Sequence, residues 1–143
     1  MDFTTMHSQR KFILIAAAVG AISMFLPWFS IFSIHVNGMH NEGILAFFGF
    51  VAAIVFSLMG DQKTEMETRF WMISFLSAAL ACLIIVISFL RMLGAGFGYM
   101  GFGLWIAVAA SIFLVYCTLT KKRAGDTLQK GFDALFKQGN KQA

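Results

Sequence analysis

Two histidines and a carboxylate share one polar segment, and these residue types could bind a metal ion. His35, His40 and Glu42 fall within positions 35 to 42, and imidazole nitrogens and carboxylate oxygens are common zinc ligands. The spacing matches no standard zinc motif and no fourth ligand is evident, so the alternative is a pair of solvated imidazoles. Either histidine could also titrate near neutral pH and act as a pH sensor. We keep the three residues as candidates and predict no bound metal and no cofactor.

Glu42 is also one half of a candidate ion pair. The other half is Arg91, which stands at the end of an apolar segment, just before a glycine-rich loop at 94–103. A pair between them would tie together two loops on the same side of the molecule. The alternative is an arginine that extends its side chain to lipid headgroups. The sequence leaves both interpretations open.

The apolar segments contain no set of residues that could form a catalytic site. Serines occur in them, but no histidine, aspartate, glutamate or lysine accompanies them there. A nucleophile needs an adjacent base, and ion-coupled transport usually places ionisable groups within the membrane. Gly96, Gly98 and Gly101 reproduce the spacing of a dinucleotide-binding loop, but the strand that should precede them is missing. We therefore predict that the chain is not an enzyme and assign no catalytic residue.

Four long apolar segments must position these side chains. The 143-residue chain is 59% apolar and 13% charged, with a mean hydropathy of +0.77, whereas a soluble domain is about 45–50% apolar and about 25% charged. A membrane-spanning helix needs about 20 mostly apolar residues and satisfies its own backbone groups in lipid. The sequence therefore predicts an all-α membrane protein, in which residues 1–120 form a four-transmembrane-helix bundle with spans at about 12–30, 44–60, 70–92 and 102–120.

The first segment contains the one proline of the chain, Pro27. Proline has no backbone donor and disturbs a helix around it, so we expect the first helix to kink or end there. Trp28 would then lie at the membrane–water interface. Residues 29–36 would form a short, extended apolar stretch at the membrane surface.

The distribution of positive charge predicts the orientation in the membrane. With the N-terminus inside, every lysine and arginine except Arg91 falls on the inner side, and an excess of positive charge is typical of cytoplasmic loops. Both termini are therefore predicted to be cytoplasmic. A net charge of +4 and a pI of about 9.3 can also indicate nucleic-acid binding. Because these charges flank apolar segments, where they meet lipid headgroups, we predict no nucleic-acid partner.

Small residues recur at four-residue spacing in three of the apolar segments. Such residues let helices approach closely in lipid, where burial of apolar surface does not drive association. They predict close packing, either between helices of one chain or between copies in a homo-oligomer. The pairs are Ala16 and Gly20, Ala17 and Ala21, Gly49 and Ala53, and Ser77 and Ala81.

Residues 121–143 form a basic tail with a periodic apolar pattern. The tail opens with Lys121, Lys122 and Arg123, a cluster suited to anionic lipid. The pattern predicts a cytoplasmic amphipathic helix that lies on the inner leaflet or docks on a protein partner. Its apolar face consists of Leu128, Phe132, Leu135 and Phe136.

Short motifs in the first half of the chain resemble those of a known group of proteins. They are Leu26-Pro27-Trp28, Val36-Asn37-Gly38-Met39-His40, Gly43 and Gly60-Asp61-Gln62. In these stretches, which cover roughly the first half, the chain resembles small bacterial four-span membrane proteins of unassigned function. The resemblance implies a multi-pass protein of the bacterial inner (plasma) membrane and implies no activity.

The sequence favours a structural function over a chemical one. We expect a non-enzymatic structural or accessory subunit that binds other membrane proteins or itself. The alternative is a small oligomeric pore or carrier for an ion or small solute, with the loop 94–103 at its outer mouth. The lipid bilayer is a partner in both cases.

Overall fold

The computed structural model describes residues 4–40, 42–64, 66–120 and 127–141, and residues 138–141 by their backbone alone. The described residues are mostly helical, with five α-helices and one antiparallel two-stranded sheet. The elements in chain order are α1 (Ser8–Ser23), β1 (Pro27–Ile31), β2 (Ile34–Asn37), α2 (Gly43–Leu58), α3 (Thr68–Ala95), α4 (Phe102–Thr120) and α5 (Leu128–Lys141).

Two of the described helices are long and apolar enough to cross a membrane. They are α3, with 28 residues, and α4, with 19, and their mean hydropathies reach 2.7 and 2.1. α2 is apolar but has 16 residues, and α1 also has 16. The helices in the predicted spans 12–30 and 44–60 are therefore shorter than those spans, and α3 extends beyond 70–92 at both ends.

The first four helices pack in chain order around a common core. α1 contacts α2 and α4, and α3 contacts the same two helices, so each of the four has two helical neighbours. α5 packs against α3. The core takes large apolar side chains from all four helices, including Ile13, Phe50, Ile85 and Leu114.

Small residues form close contacts between these helices. Gly20 of α1 faces Phe50 of α2, and a Cβ on this glycine would overlap the ring. A Cβ on Gly49 of α2 would lie 3.0 Å from the Cβ of Ala81 and 3.0 Å from the carbonyl oxygen of Ser77, both on α3. Gly20 and Gly49 thus pack helices of one chain, which is one of the two alternatives that the spacing left open. Gly20 and Gly49 are buried there, so they offer no surface to a second copy.

The outward faces of the same helices carry large apolar side chains. More than half of the residues buried in α1–α4 are Ala, Gly or Ser. An extensive set of exposed large apolar side chains is unusual in a soluble protein. The exposed set includes Ile15, Val19 and Ile22 on α1, Leu45 and Phe48 on α2, Leu80, Leu83 and Leu90 on α3, and Ile112, Phe113 and Tyr116 on α4.

α1 ends at Ser23, four residues before Pro27. The N–H groups of residues 24, 25 and 26 then donate to carbonyls three residues earlier, which makes a tight turn. The residue before a proline is disfavoured in helical conformation, and proline cannot donate a hydrogen bond. The first helix therefore ends near Pro27, as predicted, and the extended stretch predicted at 29–36 is the β1–β2 hairpin. Apart from this hairpin the described elements are helical, which is consistent with the predicted all-α class.

The hairpin has an exposed apolar tip. Ile31 pairs with Ile34 across the turn. Phe32 in this turn has a φ of 52°, in the left-handed region that residues other than glycine rarely adopt, and its side chain is fully exposed. On its other side β1 forms a bridge between Phe29 and Met100. The hairpin therefore lies against the loop that joins α3 to α4.

Candidate functional site

Trp28 on β1 holds the hairpin to the helices. Its side chain is 3% exposed, and its Nε1–H donates to the Ser23 carbonyl at the end of α1 over 3.0 Å. Gly38 lies so close to the ring that a Cβ there would overlap it. Gly101 donates its N–H to the Trp28 carbonyl at 2.8 Å. Trp28 therefore packs inside the protein because the chain turns back over it, and its predicted depth at the membrane–water interface stays a prediction.

Glu42 and Arg91 meet at the hairpin end of the helices. Glu42 directly precedes α2, Arg91 lies near the end of α3, and Arg91 Nη1 is 2.5 Å from Glu42 Oε1. The structure thus brings together the two charged residues that the sequence marked as a candidate pair. The Arg91 side chain is 65% exposed and the Glu42 side chain 52%, so the pair adds at most about 1 kcal/mol to stability. Both charges are therefore accessible to a third charged group.

Each histidine contacts a polar neighbour in the chain. His35 Nδ1 lies 3.0 Å from Ser30 Oγ, and His40 Nδ1 lies 3.3 Å from Asn37 Oδ1. Within the part of the chain that the structure describes, no three His, Cys, Asp or Glu side chains are grouped closely enough to hold a metal ion. The structure therefore does not assemble His35, His40 and Glu42 into a metal site.

Three surface cavities surround these residues. A cavity of about 380 Å³ beside the hairpin is lined by Phe25, Pro27, His35, Asn37 and His40. A second, of about 170 Å³, which we call the hairpin cavity, is lined by Trp28, Val36, Asn37, His40, Glu42, Gly43, Ser88, Arg91 and Met92. A third, of about 230 Å³, which we call the α3 groove, is lined by Glu42, Ile84, Ile87 and Arg91. The ion pair lines both the hairpin cavity and the α3 groove, so it lies where the two adjoin.

A second polar site, centred on Arg10, lies at the other end of the helices. Its side chain is only 1% exposed. Arg10 Nη1 donates to the carbonyls of Ser57 at 3.0 Å and Met59 at 2.5 Å, and Arg10 Nε donates to the Thr64 carbonyl at 3.1 Å. One guanidinium therefore closes the end of α2 and binds the loop that follows. From the sequence, Arg10 was identified only as one of the positive charges that predict the orientation in the membrane. The hydrogen bonds of Arg10 to the end of α2 were not predicted.

The residues before Arg10 extend the same contact. Gln9 is buried, and its Oε1 accepts the N–H of Met66 at 3.2 Å. The N–H of His7 donates to the Gln62 carbonyl at 2.9 Å. The described residues between α2 and α3 are thus hydrogen-bonded to the start of α1 at several points.

Arg10 carries a positive charge in this buried position. A guanidinium stays protonated in proteins. Carbonyls at a helix C-terminus carry partial negative charge. The cation therefore lies where the dipole of α2 favours it.

The tail contains a capped helix. The Thr127 hydroxyl accepts the N–H of Lys130 at 3.2 Å, which is the usual way to satisfy a free donor in a first turn. Leu128, at the start of α5, is exposed. The predicted basic cluster of Lys121, Lys122 and Arg123 lies outside the described residues.

α5 docks on α3 with part of its apolar face. Gly131 is buried against Met72, whose Sδ would lie 2.6 Å from a Cβ on this glycine, and Leu135 packs against the core. Phe132 and Phe136 stay exposed, at 43% and 73%, and their rings stack with centroids 6.4 Å apart. The predicted apolar face is therefore divided between the protein interior and the surface.

Comparison with known proteins identifies no relative of the chain. No protein-family model, no curated protein and no solved structure matches the chain. Its function has to be inferred from the geometry and surfaces described above.

Proposed function

We propose that the chain is a four-span integral membrane protein, in which α1–α4 form a transmembrane bundle. The many large apolar side chains exposed on the outer faces of these helices support this, because soluble monomers rarely expose contiguous apolar patches of more than a few hundred Å². Small residues on the inner faces are typical of helices packed in lipid. α1 and α2 are each about 24 Å long at 1.5 Å per residue, so the bilayer would be thinned around them or they would be extended by the adjoining turns.

The charge distribution supports an orientation with both termini in the cytoplasm. Among the described residues, Arg91 is the one lysine or arginine at the hairpin end, whereas Arg10, Lys11, Lys63 and Arg69 lie at the other end. Positive residues of short loops favour the cytoplasmic side. We place the hairpin outside and α5 on the inner side, as in a bacterial inner-membrane protein.

Within this arrangement, we infer that the protein is a non-enzymatic accessory subunit that binds another membrane protein, or a second copy, through α5. The observation that carries this proposal is the exposed Phe132–Phe136 pair on a helix already docked to α3. Because Gly131 holds α5 against Met72, the two rings are presented on a fixed surface. Aromatic residues are enriched in protein interfaces, and an apolar helix face is a common ligand for a groove.

The test is the mass of the native particle, extracted in mild detergent with its companions identified. We expect a stoichiometric partner. The Phe132→Ser/Phe136→Ser variant should release it, because truncation of an anchoring aromatic weakens an interface by about 2 kcal/mol or more. The variant should stay in the membrane fraction, because α1–α4 are unchanged. Gln129→Ser/Lys130→Ser on the same helix is the matched control and should keep the partner.

Two outcomes would contradict the accessory role. One is a lone 15.8 kDa monomer in the wild-type extract. The other is a partner that stays bound to the double serine variant. A discrete homo-oligomer that the same variant dissociates would identify a second copy as the partner.

A further inference from the structure

We propose that the Glu42–Arg91 pair and the α3 groove form a binding site for one phospholipid with a zwitterionic headgroup that carries a primary ammonium group, a phosphatidylethanolamine. The phosphate would lie on Arg91, the ammonium on Glu42 and an acyl chain in the groove. This inference rests on the four-span placement proposed above, and it is independent of the accessory role of α5.

The charges of the pair are only partly used within the protein. Arginine has five N–H donors, and one donation, to Glu42, is present among the described residues. The Glu42 carboxylate makes no capping hydrogen bond to α2, and a carboxylate can accept several hydrogen bonds. Because the pair is largely exposed, a lipid phosphate and ammonium can bind the two side chains without burying an unpaired charge.

The α3 groove supplies an apolar path away from the pair. Ile84, Ile87 and Arg91 are spaced at three and four residues, so they lie on one face of α3. Ile84 is about 10 Å along the helix from Arg91, at 1.5 Å per residue. The groove volume of about 230 Å³ lies along this face, on the bilayer side of the charged pair. An acyl chain that descends from a headgroup at the interface would follow the same direction.

The combination of opposite charges selects among headgroups. An anionic lipid would meet Arg91 favourably but would be repelled by Glu42, which lies 2.5 Å from the arginine. The quaternary ammonium of phosphatidylcholine has no N–H to donate to a carboxylate. The primary ammonium of phosphatidylethanolamine has three donors, as a lysine side chain does. A primary-ammonium zwitterion is therefore the one common headgroup type that satisfies both side chains with charge-assisted hydrogen bonds.

The test is native mass spectrometry of the delipidated full-length protein in non-ionic detergent. The protein is titrated separately with phosphatidylethanolamine, phosphatidylglycerol, phosphatidylcholine and glycerophosphoethanolamine, which has the headgroup without the chains. We expect phosphatidylethanolamine to bind most tightly and the free headgroup to bind at least about tenfold more weakly. Arg91→Gln should weaken phosphatidylethanolamine binding by about tenfold, which corresponds to the loss of one hydrogen bond to a charged group. Ile87→Trp, which fills the groove, should weaken it similarly.

Matched variants separate the site from general effects on the surface. Arg69→Gln removes an exposed arginine from the other end of α3, and Ile112→Trp enlarges an exposed isoleucine on α4; both should bind phosphatidylethanolamine as the wild type does. Equal affinity of the wild type for the three diacyl lipids would overturn the proposal. Unchanged binding of phosphatidylethanolamine by Arg91→Gln, or tight binding of glycerophosphoethanolamine by the wild type, would also overturn it. Loss of the α5 partner in the serine variants leaves this readout unaffected, so the two proposals fail separately.

Discussion

Replacing Arg10 with methionine is expected to destabilise the folded protein by about 3 kcal/mol or more. The guanidinium donates to the carbonyls of Ser57, Met59 and Thr64, and methionine fills much of the volume while donating nothing. An unsatisfied buried carbonyl costs about 1–3 kcal/mol, and the favourable interaction with the α2 dipole is lost as well. The measurement is thermal unfolding in detergent of chains that carry Cys82→Ser, followed with a thiol-reactive dye that reports exposure of the buried Cys117.

Two further variants show whether this effect depends on the guanidinium fork. Arg10→Lys keeps the charge but cannot contact three carbonyls in the same geometry, so it should recover only part of the stability. Lys11→Gln removes the neighbouring, half-buried charge and should unfold close to the wild-type temperature. If Arg10→Met and Lys11→Gln unfolded at the same temperature as the wild type, the closure of α2 by Arg10 would have no energetic role.

Replacing Trp28 with alanine is expected to cost about 3–5 kcal/mol, the usual range for truncation of a buried aromatic residue. The indole fills the space against Gly38 and donates to the Ser23 carbonyl, so its loss leaves a cavity and removes one of the two hydrogen bonds that this carbonyl accepts. The hairpin should loosen before the helices do, because this side chain is its main anchor. Hydrogen exchange should therefore accelerate most across residues 27–37, together with a lower unfolding temperature.

The control for this prediction is Trp105→Ala, on α4. Trp105 is half-exposed and packs edge-on against the Phe89 ring with centroids 5.3 Å apart. Its truncation should cost less than about 1.5 kcal/mol, the upper end for an aromatic pair, and leave exchange in the hairpin unchanged. Equal destabilisation by the two alanine variants would mean that Trp28 is not the anchor of the hairpin.

The sequence is informative about the helices because their apolar runs are long and Pro27 marks an end. The exact end of α1, at Ser23, could not be predicted from the sequence. The tight turn before the proline depends on local hydrogen bonds that composition does not report. The enclosure of Trp28 was not predicted for a related reason. Tryptophan is common at membrane interfaces, and only the fold of the hairpin over the helix ends shows that this ring is enclosed.

Arg10 was overlooked because its charge already had an explanation. The excess of positive charge at one end of the helices accounts for every lysine and arginine there, so none stands out. A signal was present, since the apolar run of α2 ends at Gly60, which has a φ of 82°, and the last carbonyls of a helix need donors. Which cation supplies them depends on how α1 lies beside α2, and that is tertiary information.

The Glu42–Arg91 pair could be proposed from the sequence because both charges fall at the same end of their helices. The contact itself depends on the rotation of α3 relative to α2, which an apolar pattern on all sides of a helix does not determine. The packing of the tail helix α5 could likewise not be predicted from its pattern. Its periodicity indicates one apolar face, but the contact of Gly131 with Met72 decides which part of that face is covered.

The most direct test of the account is the side of the membrane on which each loop lies. In a chain with Cys82→Ser and Cys117→Ser, a single cysteine is introduced as Ser33→Cys at the hairpin tip or as Lys63→Cys between α2 and α3, both exposed positions. In intact spheroplasts of a bacterial host, a membrane-impermeant maleimide should label the hairpin cysteine at once. It should label the loop cysteine only after permeabilisation. Labelling of both cysteines from the same side would contradict a four-span protein with the hairpin outside and its termini in the cytoplasm.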